Sequence, residues 1–168
     1  MKSKVLALIL LCGAASLGAK VKLPALVGDN MILQQQTEVK LWGTAAPEAE
    51  VRVTPSWNGQ TMTCRADKDG GWTLAVETPA AGYTPYEITF DDGEKTTLKN
   101  ILIGEVWLAS GQSNMEMPLK GFAGCCIMNG ADDIIVSAEN KGVRMFTVPK
   151  HQTYELQTDC KGSWNIYS

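Results

Sequence analysis

Asp69-Gly70-Gly71-Trp72-Thr73-Leu74-Ala75-Val76 sets the rhythm of the first half of this chain. An aspartate and two glycines signal a turn. Trp72, Leu74 and Val76 then fall on one side and Thr73 and Ala75 on the other, the period of two that a half-buried strand requires. The same alternation recurs on either side of this stretch. Val51 and Val53 flank Arg52; Met62 and Cys64 alternate with Thr61, Thr63 and Arg65; Tyr86, Ile88 and Phe90 share a face. Asn58-Gly59 and Asp92-Gly93 supply the turn chemistry between runs. Over residues 20–100 this pattern predicts an antiparallel β-sandwich domain, Ig-like or jelly-roll-like, of about seven strands.

After Asn100 the period changes. Ile101-Leu102-Ile103 and Val106-Trp107-Leu108-Ala109 are almost continuously apolar, as in a strand buried on both faces, which makes Trp107 a core residue. Asn129-Gly130-Ala131-Asp132-Asp133 reads as a helix start, with Asn129 as cap and two aspartates at the positive end of the dipole. Ile134, Ile135 and Ala138 give that helix an apolar face, and Asn140 and Gly142 can end it. A second strand, Val143–Val148, follows. Strand, loop, helix and strand make the incomplete start of an α/β domain over residues 101–168. No Pro- or Ser-rich linker separates it from the sandwich.

Composition narrows the function classes. The chain has 168 residues, 45% of them hydrophobic, and a formal net charge of −3 with both signs mixed along its length. That balance lacks the basic stripe that phosphate backbones require, so nucleic acid is not an expected partner. Residues 1–19 read as a signal peptide: Lys2 and Lys4 precede an apolar run, Val5–Cys12, and then small residues up to a cleavage site near Gly18 or Ala19. The apolar run is too short for a membrane span, which needs about 20 residues. The large Leu11 before Cys12 argues against lipidation. Export to the periplasm or beyond places Cys64, Cys125, Cys126 and Cys160 in an oxidising compartment. They read as one or two disulfides, one joining Cys125 or Cys126 to Cys160, or as buried thiols. No metal spacing occurs among them. Trp42, Trp57 and Trp72 could stack on a sugar but fit core or edge packing better.

Chemistry is concentrated in Gly111-Gln112-Ser113-Asn114-Met115, directly after the apolar run. A serine at the end of a buried strand can be held exposed with its own N–H aimed at the oxyanion it generates, the need of an acyl-transferring nucleophile. The one histidine, His151, has no acid three residues before it and reads as an exposed loop residue. Asp132 and Asp133, adjacent on a helix, diverge and make no catalytic pair.

Ile103-Gly104-Glu105-Val106-Trp107-Leu108-Ala109-Ser110-Gly111-Gln112-Ser113-Asn114-Met115-Glu116-Met117-Pro118-Leu119 resembles the signature region of the sialate O-acetylesterases, a branch of the SGNH hydrolases. Asp29-Asn30-Met31-Ile32-Leu33-Gln34 and Val39-Lys40-Leu41-Trp42-Gly43 are similar to that family's opening strands, and Asp159-Cys160-Lys161-Gly162-Ser163-Trp164 to the segment before its second helix. The resemblance implies a sandwich leading into an SGNH-type α/β hydrolase domain, with Ser113 as catalytic nucleophile and Gln112 and Asn114 shaping the turn beside the substrate. It implies an O-acetylated sialic acid or related acetylated sugar as substrate, and no metal or other cofactor. The family's closing Asp-x-x-His, which supplies base and orienter, does not occur here. The expectation is therefore an N-terminal portion that ends before its base and is inactive as it stands. The rival expectation is a non-catalytic β-sandwich module binding a glycan or protein, with a vestigial hydrolase segment. Oligomeric state is not legible from the sequence.

Overall fold

The computed structural model describes residues 20–138, 140 and 142–166; the signal peptide expected at 1–19 lies outside them. Each alternating run becomes a strand: β1 (Ile32–Gln34), β2 (Glu38–Thr44), β3 (Glu50–Pro55), β4 (Met62–Arg65), β5 (Gly71–Glu77), β6 (Gly82–Asp91) and β7 (Lys95–Gly104). Five form a sheet in the order β1-β7-β6-β3-β4, while β2 and β5 pair as a separate two-stranded sheet. The alternation predicts an all-antiparallel arrangement, but the large sheet is mixed. β1 runs parallel to β7, with Leu33 opposite Ile103, whereas β3, β4, β6 and β7 pair antiparallel. Parallel neighbours need a long crossover, and the chain from β2 to β6 provides it. Short-range patterning carries no signal for such a contact.

The two sheets share one core. Leu41, Trp72, Leu74 and Val76 from β2 and β5 meet Val51, Val53, Ile88 and Phe90 from β3 and β6. Trp72 and Phe90 lie 5.8 Å apart between ring centroids. Thr73 and Ala75, the intervening residues of β5, are exposed. The β4–β5 turn requires a glycine at position 70: its φ is +87°, and a Cβ there would sit 2.5 Å from the Ala45 carbonyl oxygen. Asp67 completes the turn, its Oδ1 accepting hydrogen bonds from the Asp69 and Gly71 amides at 2.8 Å each.

The continuous apolar run divides. Ile101, Leu102 and Ile103 are buried in β7, between β6 and β1. Val106-Trp107-Leu108-Ala109, expected to extend a buried strand, is neither strand nor core: Trp107 is 86% and Leu108 94% exposed. Burial on both faces needs a strand on each side. β1 finishes at Gln34, opposite Gly104, and no strand pairs with 106–109 among the described residues.

Helix α1 spans Gly130–Ser137, with Asp132 and Asp133 in its first turn. Asn129 takes the cap position in a left-handed conformation, φ 62°, but its side chain makes no capping hydrogen bond. The apolar side of α1 is open, Ile135 and Val136 being exposed. The strand expected at Val143–Val148 is shorter, β8 (Arg144–Phe146), and pairs antiparallel with β9 (Trp164–Ile166) rather than opening a parallel sheet. This pair is fastened to the first half of the chain. Trp164 stacks edge-on against Phe146 at 5.4 Å and its Nε1 donates to the Leu26 carbonyl at 2.9 Å. The Asp159 carboxylate receives the Ala25 amide at 3.1 Å, and Arg144 Nη2 donates to Asn100 Oδ1 at 3.3 Å.

Candidate functional site

Gly104 closes β7, and the chain leaves the sheet through a side-chain clamp. Gln34 Nε2 donates to Glu105 Oε2 at 3.1 Å, and Gln35 Nε2 to Glu105 Oε1 at 2.6 Å. Gln34 uses its other end as well, its Oε1 accepting the Val106 amide at 2.9 Å. Gln35 Oε1 accepts the Ala81 amide at 2.8 Å. The hydrogen bonds from Gln35 and then Gln34 hold the Glu105 carboxyl below the ordinary glutamate value, since both stabilise its charged form. Thr78, the buried polar side chain of this corner, ties the backbone beneath: its hydroxyl donates within 2.7 Å of the Gln34 carbonyl and 2.9 Å of the Thr37 carbonyl, and the Thr37 amide donates back to it at 3.2 Å.

Residues 106–112 intervene between Glu105 of this clamp and Ser113, so the serine does not sit directly on the strand end as its sequence position suggests. Ser113 opens a short 3-10 turn, Ser113–Glu116, entered from an extended Gln112 and closed by the Met115 amide on the Gln112 carbonyl at 2.9 Å. Gln112, Ser113 and Asn114 are all exposed. A distant segment reaches this turn: Lys150 Nζ lies 2.7 Å from the Glu116 carboxylate. His151 is the next residue and is exposed. No hydrogen bond joins it to Ser113 among the described residues. The turn thus presents an exposed serine with no base in contact among the described residues.

The other singled-out residues are placed as follows. Trp72 is buried in the core. Trp57 packs at its edge, donating Nε1 to the Glu77 carbonyl at 2.9 Å and meeting Tyr86 edge-on at 5.7 Å. Trp42 is partly open to solvent on β2. Cys64, Cys125, Cys126 and Cys160 are free thiols rather than disulfides; Cys64 and Cys160 are half-buried and the other two exposed. Burial pushes the Cys64 thiol above its ordinary value. Among the described residues no His, Cys, Asp and Glu cluster could hold a metal ion, and no helix is long and apolar enough to cross a membrane.

A cavity of about 270 Å³ lies elsewhere, lined by Tyr83, Pro85, Asn100, Leu102, Arg144 and Ile166. It is mostly apolar and includes none of residues 111–116. The clamp, by contrast, lies within two stretches of family resemblance, at Gln34 and at Glu105. No local pattern joins positions 71 residues apart, so its geometry is invisible in the sequence.

Comparison with known proteins bears on this arrangement. No family model matches the chain. Sialate O-acetylesterase from Rattus norvegicus is 27% identical over 175 residues, covering 95% of this chain and 31% of the rat protein. The Homo sapiens sialate O-acetylesterase is 29% identical over 161 residues, covering 89% of this chain and 29% of its own length. Among solved structures, a carbohydrate acetylesterase from Xanthomonas citri superposes with a TM-score of 0.77 at 31% identity, over 88% of this chain and 33% of that one. The chain is sialate O-acetylesterase-like. It spans about a third of the length of these relatives. The fold is mostly sheet and is similar to that of a carbohydrate acetylesterase over 88% of this chain.

Proposed function

We propose that this chain is the nucleophile-bearing part of an exported carbohydrate esterase of the sialate O-acetylesterase type. In this reading residues 20–100 are a β-sandwich domain and residues 101–168 the start of an SGNH-type α/β hydrolase domain. Its substrate is an O-acetylated sialic acid or related acetylated sugar. Ser113 Oγ attacks the acetyl carbonyl, its proton passes to a base, and the alkoxide that forms meets the Ser113 N–H. Collapse expels the sugar hydroxyl and leaves an acetyl-enzyme, which water converts to acetate. No metal or cofactor takes part.

The observation that supports this reading is the exposed Ser113 turn, anchored through Lys150 and Glu116, in a chain alike over most of its length to acetylesterases. With no Asp-x-x-His of its own, the isolated chain has little or no turnover, because removing the base from a serine triad costs several orders of magnitude. A small exogenous base can stand in for it. With imidazole present, a fluorophosphonate probe should form one adduct, mapped to Ser113 by mass spectrometry and lost in Ser113→Ala. Equal labelling of the two proteins would overturn the assignment, and glycan binding that survives the substitution would favour a non-catalytic sandwich module instead.

A further inference from the structure

The clamp at the end of β7 joins three side chains around one backbone amide. Glu105 is received at both carboxylate oxygens by glutamines at the end of the neighbouring strand β1, at 3.1 and 2.6 Å. The Val106 amide, the first past the clamp, is held by Gln34 at 2.9 Å. These contacts stand where the chain loses its strand partners: Gly104 is paired with Gln34 in register, and its carbonyl accepts the Gln35 amide at 2.9 Å. Beyond Val106 the backbone is exposed up to the Ser113 turn. A segment without strand partners keeps the direction its last fixed point gives it.

We propose that Gln34, Gln35 and Glu105 are positioning residues for the Ser113 loop: they fix the path on which residues 106–112 leave the sheet and so the placement of the serine. The proposal rests on Ser113 being the nucleophile. The two glutamines also have separate duties. Gln34 is bifunctional, donor to the carboxylate and acceptor from the backbone, whereas Gln35 ties the same carboxylate to the Ala81 amide at the start of β6. The clamp therefore couples the β1, β6 and β7 ends at one point. Each donor–acceptor relation has a defined sense, and that sense allows a specific rescue.

In Q34E two carboxylates face each other at hydrogen-bond distance, and like charges repel. In the double variant Q34E/E105Q the donor and acceptor simply exchange ends. The residue at 105 then donates across the 3.1 Å gap and still accepts from Gln35, while the residue at 34 still accepts the Val106 amide. All three bonds can re-form. A purely steric role predicts no such recovery, and a purely stabilising one predicts recovered exchange with no change in Ser113 modification.

The test uses the whole chain with two readouts. Hydrogen exchange at the Val106 amide should quicken about tenfold in Q34E, the scale of one or two net hydrogen bonds, and return toward wild type in Q34E/E105Q. The limiting rate of Ser113 modification by the fluorophosphonate probe with imidazole should fall in Q34E with probe affinity kept, and recover in the double variant. Arg52→Ala, which removes the surface Arg52–Asp91 pair, is the control for general destabilisation and should change neither readout. Unchanged exchange in Q34E, or no recovery in the swap, overturns the clamp. Altered and rescued exchange with unaltered Ser113 modification overturns its positioning role. An absence of labelling in every protein, with exchange behaving as expected, overturns instead the assignment of Ser113 and leaves the clamp standing as the fixed point of the loop.

Discussion

Residues 21–104 and residues 105–166 handle apolar surface in opposite ways. Every buried core hydrophobic among the described residues lies between Val21 and Ile103. Before Gly104 the exposed large apolar residues are Leu26, Trp42 and Tyr83; after it they run from Val106 through Trp107, Leu108, Ile135 and Val136 to Leu156 and Ile166. The first region encloses its own core because β2, β3 and β5 alternate and the continuous run of β7 has a strand on each side. The second region is apolar without alternation. Its residues can be covered only by elements set beside them, and its own β8–β9 pair and one helix of eight residues do not suffice. Self-sufficiency of a segment is thus written in its period and its strand partners, not in its apolar content.

The sharpest way to break this contrast is to truncate one aromatic in each region. Phe90 is fully buried against Trp72. Phe90→Ala should cost about 3–5 kcal/mol, the range for emptying a core aromatic site. Trp107→Ala, at a residue 86% exposed, should change stability by less than about 0.5 kcal/mol. Urea unfolding followed by circular dichroism measures both. Comparable losses would mean that 105–166 shares in the core after all.

The contrast also marks what could be read from the chain. The strand faces at Val51, Trp72, Leu74, Val76, Ile88 and Phe90 were legible because a two-residue period is a local property. The parallel β1–β7 pair was not, since Ile32 and Leu102 meet from 70 positions apart in the chain. Trp107 misled for a related reason: an apolar run specifies a wish for burial but not the partner that grants it. At the candidate site, the turn at Ser113 was legible from the polar cluster Gly111-Gln112-Ser113-Asn114. The Gln34–Gln35–Glu105 clamp and the Lys150–Glu116 tie were not, because side-chain hydrogen bonds between distant positions leave no spacing in the sequence.

A smaller effect tests the corner of the first region that lies beneath the exit to the second. The Thr78 hydroxyl is buried and bonded to the backbone at Gln34 and Thr37. Thr78→Val keeps the shape and removes the hydroxyl, taking a partner from the Thr37 amide and the Gln34 carbonyl, while the Thr37 carbonyl keeps the Thr78 amide at 3.0 Å. The cost should be about 1–2 kcal/mol, the scale of buried groups left unsatisfied. Hydrogen exchange should place that loss at Thr37 and around Gln34, close to the clamp, and spare α1. A loss spread evenly over the chain would show that the corner is no separate joint.

The smallest expected effect is the pH response of the clamp itself. Hydrogen bonds from Gln35 and Gln34 depress the Glu105 pKa in the folded chain relative to the unfolded one. A depressed carboxyl binds its proton more readily in the unfolded state. Its contribution to stability is therefore complete above the ordinary glutamate value and is lost as pH falls through the lower, folded value. Glu105 lies at the surface, where solvent screening keeps that contribution modest. The place to look is local rather than global: exchange at the Val106 amide, corrected for its intrinsic pH dependence, should rise on acidification through that window. In E105Q, which has no proton to gain, the corrected rate should stay flat. A wild-type profile as flat as that of E105Q would show that the charge on Glu105 does not hold the exit from the sheet, and that the glutamines grip it by shape alone.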